Sequence, residues 1–227
     1  SIQGAGASGI ASRVLGNGIR ELERGRIHPV QFEDKEVTAI RATHTAEDGF
    51  DLLIAGEHVT LIWNALVESG ARPIGEDAIN ILRIEAGLPR YSVDIGETYN
   101  VLEAGLDAGI SYTKGCYIGQ EIIARIHWRG HVAKRLAGLS MTDRVEIAPD
   151  ARVKSTEGKE IGRITSSIYS PVLKQTIALG IIKYDFLAPG TRVTVVSENN
   201  ELPSVVTELP FVKGSWQQTH AAQPVTI

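Results

Sequence analysis

Hydrophobic spacing in the first half of the chain switches between the helical and the strand pattern. The predicted elements are helices over 4–24, 58–69 and 77–86 and strands over 37–43 and 50–54. The polar break Glu47-Asp48-Gly49 separates the two strands and predicts a turn, because Asp tolerates turn conformations and Gly supplies a positive φ. We therefore expect helices combined with a β-hairpin.

The pattern changes near Lys134, where short apolar runs separated by turn residues begin. These runs cover 136–141, 151–154, 161–167, 175–182, 192–196 and 204–209. Their spacing is typical of a small all-β barrel or sandwich. We therefore place a domain boundary near Arg135, with an α+β domain over 1–134 and a β-barrel domain and tail over 135–227. The tail from Gly214 has little periodicity, so we expect it to pack loosely or fray.

Composition excludes several classes of protein. A length of 227 residues favours two domains, and a net charge of −4 argues against a non-specific nucleic-acid binder. No stretch approaches the roughly 18 apolar residues of a membrane helix, so we expect no membrane partner. One cysteine excludes an internal disulfide and a four-cysteine zinc site, and a reducing, cytoplasm-like compartment fits best.

The segment from Lys114 to Glu121, with the sequence KGCYIGQE, contains the only cysteine. Ile118, Ile122 and Ile126 share a helical face, so Cys116 is predicted at or just before a helix N-terminus. Exposed N–H groups there, together with Lys114, favour the thiolate. From spacing alone, a buried and inert thiol is the commoner alternative.

A basic stretch follows this segment, since residues 122–142 contain no acidic residue. Its basic residues are Arg125, Arg129, Lys134 and Arg135. This local excess marks a candidate site for a polycarboxylate tail, a phosphate or RNA, and the alternative is a solvated linker. Arg125 is four residues after Glu121, which favours a helix-surface pair. His127 and His131 could share a metal on one helix face, but without a third ligand we predict no metal site.

Two further segments of the first half combine charged residues with a turn or a helix end. They are the turn around Glu47 and the helix end with Arg83 and Glu85. A carboxylate in a pocket wall can accept two N–H bonds from an aminopyrimidine, and an arginine can bind a carboxylate tail bidentately. From spacing alone, ordinary surface polar positions remain the commoner interpretation.

Several windows together resemble one family. The KGCYIGQE segment resembles the signature of YgfZ-type tetrahydrofolate-binding proteins, relatives of the glycine-cleavage T-protein, an aminomethyltransferase. Further resemblances lie at 47–51, at 82–89, at 162–180 in the barrel motif, and at Leu209-Pro-Phe-Val212, which resembles a closing strand. The resemblance covers nearly the whole chain, and its cysteine motif is specific.

The resemblance implies an α+β fold, with a ferredoxin-like folate-binding core followed by a small C-terminal β-barrel. It also implies assistance to iron–sulfur cluster assembly or repair, with iron–sulfur client proteins as partners, some of which modify tRNA. A folate-dependent aminomethyltransferase is the alternative, so the resemblance leaves open whether the protein is an enzyme. Direct tRNA contact is the least favoured hypothesis because the protein is acidic overall.

The resemblance also implies site roles, with tetrahydrofolate or a one-carbon derivative as the cofactor. Glu47 would recognise the pterin, and Cys116 with Lys114 would form the functional loop, which favours a functional over a buried cysteine. The other implied folate contacts are Arg83, Glu85, Tyr112, Gln120 and Arg125.

Two positions depart from the family pattern. Ser1-Ile-Gln-Gly4 resembles a mid-domain motif, so we expect about a hundred residues of such a protein to precede it. Ala46 stands where a glycine is common. We expect a chain without the preceding part to fold only partly or to bind folate weakly.

Overall fold

The computed structural model describes residues 1–198 and 200–218, which form two compact units. The first unit combines residues 1–86 with 212–218, and the second comprises residues 87–211. The predicted domain boundary near Arg135 stays a prediction. Within the described ranges, no helix is both long and apolar enough to cross a membrane.

The first unit is an antiparallel sheet covered by helices. In chain order its elements are β1 (Ile2–Gln3), α1 (Ala7–Leu15), β2 (Ile27–Phe32), β3 (Lys35–Arg41), β4 (Gly49–Leu53), α2 (Val59–Glu68) and α3 (Glu76–Glu85). Short 3-10 helices cover Asn17–Glu21 and Gly56–His58. The strand order is β1-β4-β3-β2. Buried residues of α1, α2 and the sheet form one core, which includes Ala11, Ile62, Val37 and Phe50.

Most predicted elements of this unit are confirmed, with two differences. The β3–β4 hairpin pairs antiparallel, and α2 and α3 lie where the apolar spacing placed them. The first helix is shorter than predicted, because Gly16 follows it with φ 87° and an extended ψ. Strands β1 and β2 are additional elements that the pattern did not indicate.

The second unit contains one helix and a closed barrel. After a 3-10 turn at Asp107–Gly109 come α4 (Gln120–Arg129), β5 (Lys134–Met141), β6 (Arg152–Ser155), β7 (Glu160–Ser170), β8 (Gln175–Lys183), a 3-10 turn at Tyr184–Phe186, β9 (Arg192–Ser197) and β10 (Asn200–Thr207). The barrel order is β10-β5-β8-β7-β6-β9. Its interior is apolar and includes the fully buried Leu139, Val153 and Ile161. The six predicted strands are confirmed, together with the predicted α+β fold and C-terminal barrel.

The segment after the last barrel strand differs from the prediction. The last strand ends at Thr207, so Leu209-Pro-Phe-Val212 is not a closing strand. Leu209 and Phe211 instead pack over Gly138 of β5, where an added Cβ would lie 2.8 Å and 2.7 Å from their side chains. The chain then forms the short helix α5 (Ser215–Gln218), which belongs to the first unit.

Candidate functional site

The predicted site residues divide into two sets, one in each compact unit. Glu47, Arg83 and Glu85 belong to the first unit. The second unit contains Tyr112, Lys114, Cys116, Gln120 and Arg125.

A buried ion pair supports the turn that carries Glu47. Arg41, the last residue of β3, donates from Nε and Nη2 to the two carboxylate oxygens of Asp48, at 3.0 Å each. The two side chains are only 14% and 10% exposed. Ala46 has φ 60°, which lies in the left-handed region that favours glycine. This conformation explains why a glycine is common at this position in the sequences that the chain resembles. The ion pair and this backbone geometry fix the turn.

Residues 212–216, here called the C-terminal strap, hold the side chain of Glu47. The backbone N–H of Ser215 donates to Glu47 Oε2 at 3.0 Å, and the Ser215 hydroxyl donates to the same oxygen. The hydroxyl also accepts a hydrogen bond from the backbone N–H of Asp48 at 2.9 Å. Glu47 is half-buried in this arrangement.

The strap is fixed along its length, so the expectation that the tail packs loosely from Gly214 is wrong for residues 214–216. Trp216 donates its backbone N–H to Ala46 O at 3.0 Å. The guanidinium of Arg24 lies 4.2 Å from the centre of the Trp216 ring and donates a hydrogen bond to Trp216 O. Burial lowers the pKa of Arg24, repulsion by Arg41 lowers it further, and Asp48 opposes both. The last part of the tail, residues 219–227, lies outside the described residues.

Arg83 and Glu85 lie at the end of α3 and are buried, at 8% and 3% exposure. Arg83 Nε donates to Asn80 Oδ1 at 2.9 Å, one turn earlier on the helix. The carbonyl of Glu85 accepts the backbone N–H of Val212 at 2.9 Å, so the strap contacts this helix end as well as the Glu47 turn. Burial of two charged side chains on one helix end is unusual for surface polar positions.

The cysteine lies on an exposed loop of the second unit. Cys116 and Lys114 are both exposed, so the alternative of a buried thiol is wrong. The ammonium of Lys114 lies 5.0 Å from the centre of the Tyr117 ring. Helix α4 begins only at Gln120, after Gly119 with φ 88°, so Cys116 precedes the helix and lies outside its first turn. The helix N-terminus therefore acts on the thiol less than predicted, because its influence falls off within the first turn.

Of the remaining predicted residues of this unit, Gln120 is the half-buried first residue of α4, whereas Tyr112 and Arg125 form surface pairs. Tyr112 stacks on His127 with ring centroids 4.1 Å apart, and partial burial raises the pKa of Tyr112, with Asp107 adding to the shift. Arg125 pairs with Glu121 at 2.7 Å, and their side chains are 71% and 85% exposed. The predicted helix-surface pair is confirmed. Such exposed pairs contribute little to stability.

The two histidines of the basic stretch do not share a helix face. Helix α4 ends at Arg129, before His131. His127 stacks on Tyr112, whereas His131 stacks on Tyr184 with ring centroids 3.6 Å apart. Within residues 1–198 and 200–218, no group of three or more His, Cys, Asp or Glu side chains is arranged to hold a metal ion.

The sequence did not indicate two polar contacts beside the Glu47 turn. Ser215 lies in a segment without periodicity, and its bond to Glu47 spans 168 residues, so no local pattern could reveal it. His44 Nε2 lies 2.9 Å from Asp51 Oδ2. Partial burial alone would raise the pKa of Asp51, but hydrogen bonds with His44 and Ser1 outweigh it and hold this pKa below its usual value.

Comparison with protein families covers both parts of the chain. The family model for the GCVT N-terminal domain matches residues 1–114, and the model for the glycine cleavage T-protein C-terminal barrel domain matches residues 134–213. The chain belongs to the glycine cleavage T-protein family. The predicted relationship to the T-protein is therefore confirmed at the level of the family.

Curated relatives of this T-protein family chain are named aminomethyltransferases. One from Symbiobacterium thermophilum is 35% identical over 178 residues, covering 76% of this chain and 47% of the relative. Another from Desulfitobacterium hafniense is 32% identical, covering 86% of this chain and 55% of the relative. A third from Geobacillus kaustophilus is 30% identical, covering 94% of this chain and 60% of the relative. This T-protein family chain thus spans about half the length of these relatives.

A solved T-protein structure shows the same fold. The glycine cleavage system aminomethyltransferase T from Bartonella henselae matches with a TM-score of 0.79 at 24% identity, covering 91% of this chain and 57% of that chain. The similarity confirms the T-protein-like architecture predicted from the sequence.

Proposed function

We propose that this chain is part of a tetrahydrofolate-binding protein that assists iron–sulfur cluster assembly or repair, with Cys116 as its functional thiol. The observation that carries the proposal is the exposure of Cys116 within the KGCYIGQE segment. A cysteine kept for packing is normally buried, so an exposed one two residues after Lys114 is better suited to chemistry with a partner.

The first unit supplies the candidate folate contacts. Glu47 is half-buried, and both donors of Ser215 bind its Oε2. A carboxylate held in this way can accept an N–H group of an aminopyrimidine, the ring system that tetrahydrofolate carries, through its other oxygen. Arg83 and Glu85, buried at the end of α3, are proposed to line the same pocket. Tetrahydrofolate, when bound, supplies nitrogen atoms that carry a one-carbon unit.

The second unit supplies the candidate loop for a protein partner. Ile118, two residues after Cys116, is fully exposed, and Ile122 and Trp128 are 62% and 73% exposed. The iron–sulfur cluster is cargo in this proposal, and one thiolate holds a cluster only together with ligands from another molecule. The exposed loop is therefore suited to meeting an iron–sulfur client protein. Tyr112, Gln120 and Arg125 stay proposed folate contacts.

A folate-dependent aminomethyltransferase is the second candidate, and the names of the curated relatives favour it. In this case the first-unit carboxylates would orient tetrahydrofolate so that it accepts a one-carbon unit from an aminomethylated carrier. Catalysis would come from holding the two reactants together. The thiol of Cys116 has no part in this reaction.

Cysteine replacement separates the two candidates. A strain that lacks the natural protein containing this chain is complemented with the wild type, with Cys116→Ser, or with Thr113→Ala as an exposed control in the same loop. The proposal predicts that Cys116→Ser fails to restore iron–sulfur enzyme activity, whereas Thr113→Ala restores it. Full restoration by Cys116→Ser would disprove the thiol role. Formation of 5,10-methylenetetrahydrofolate by the purified Cys116→Ser protein would favour the transferase.

A further inference from the structure

We infer that Ser215 is a positioning residue that holds the Glu47 carboxylate for ligand binding; the inference rests on the proposed folate role of Glu47. The Ser215 hydroxyl accepts the backbone N–H of Asp48 at 2.9 Å. Its own proton is therefore directed to Glu47 Oε2, to which the backbone N–H of Ser215 also donates. Two hydrogen bonds thus lock the hydroxyl between the turn and the carboxylate, and a third joins the backbone N–H of Ser215 to the same carboxylate.

Both donors of Ser215 bind the same oxygen of Glu47. The hydrogen bonds of Glu47 found among the described residues use Oε2, which leaves Oε1 as an acceptor for a ligand N–H. A side chain that is already fixed loses less conformational freedom when a ligand binds. Ser215 therefore raises affinity without contacting the ligand.

The strap is built to bring Ser215 to this place. At Gly214, an added Cβ would lie 2.2 Å from Ala46 O and 3.0 Å from Glu47 Oε1, so only glycine fits. Val212 binds the carbonyl of Glu85 at the end of α3. The strap therefore joins both first-unit elements that are proposed to bind folate.

Calorimetric titration with tetrahydrofolate tests the inference on the complete natural protein that contains this chain. Ser215→Ala is expected to raise the Kd about tenfold, the upper end of the usual scale for immobilising one side chain on binding. Ser215→Thr keeps both donors and is expected to stay within about threefold of the wild type. The matched control is Ser204→Ala, which removes a buried hydroxyl that bonds to Leu202 O in the barrel, and it is expected to leave the Kd unchanged.

A double-mutant cycle distinguishes positioning from a general structural role. If Ser215 acts through Glu47, adding Ser215→Ala to Glu47→Gln changes the Kd by less than about twofold, because the group being positioned has already lost its charge. An equal loss in both backgrounds, or wild-type affinity for Ser215→Ala, overturns the inference. If the wild type does not bind, or Glu47→Gln binds as tightly as the wild type, the proposed folate role fails first and the inference fails with it.

Discussion

Removal of the Asp48 carboxylate is expected to destabilise the first unit strongly. Asp48 is 10% exposed and binds Arg41 through two hydrogen bonds of 3.0 Å. In Asp48→Ala, the guanidinium of Arg41 keeps its hydrogen bond to Leu22 O but remains buried without an opposite charge, close enough to Arg24 for the two charges to repel. Breaking a buried pair in this way lowers the free energy of unfolding by about 3–5 kcal/mol. Because both side chains keep a small exposure to solvent, we expect the lower end, about 3 kcal/mol.

Urea unfolding followed by circular dichroism measures this change. With an m-value of about 2 kcal/mol per molar urea, a loss of about 3 kcal/mol lowers the midpoint by about 1.5 M. The matched control is Glu23→Ala, which removes an exposed pair with Arg26, where the side chains are 78% and 60% exposed. This control is expected to change the unfolding free energy by less than about 1 kcal/mol. An equally small loss for Asp48→Ala would refute the argument that burial makes this pair important.

Three further predictions concern other parts of the chain. Gly162→Ala is expected to destabilise the barrel by about 1–3 kcal/mol in urea unfolding, because its Cβ would lie 2.2 Å from a β8 carbonyl oxygen. The control Gly56→Ala meets nothing within 4 Å, so its free energy of unfolding is expected to stay close to that of the wild type. A thiol reagent is expected to modify Cys116 in the folded protein as fast as in urea, and protection in the folded state would contradict its exposure. The pKa of Asp51 is lowered in the folded state, so its bond to His44 is expected to stabilise the protein above about pH 4 and to lose this effect as the pH falls further. The free energy of unfolding of Asp51→Asn, measured against pH, is therefore expected to fall less steeply below about pH 4 than that of the wild type.

Local pattern was sufficient to predict most of the fold. The barrel strands were found because apolar runs alternate with turn residues, and the β3–β4 hairpin because a Glu-Asp-Gly turn separates two strand patterns. Strand β2 was missed for a physical reason. It is an edge strand, it contains Pro29, and only Val30 among its residues is buried, so it lacks regular alternation.

The candidate site was predicted less completely, because part of it depends on contacts far apart in sequence. The resemblance indicated Glu47 and Cys116, and the exposure of Cys116 agrees with a functional thiol. The partner of Glu47 could not be predicted, since Ser215 lies in a segment without apolar periodicity. The isoleucine spacing predicts an earlier start for α4 than the structure has, because a helical face of isoleucines does not show that Gly119 adopts a left-handed conformation.

The most direct test of the central claim is calorimetric titration of the complete natural protein with tetrahydrofolate and its 5-formyl form, for the wild type and for Glu47→Ala. We expect saturable binding by the wild type and binding at least tenfold weaker by the variant, because the carboxylate proposed to accept a ligand N–H is lost. Absence of binding by the wild type, or equal affinities for the two proteins, would contradict the assignment of Glu47 to folate recognition.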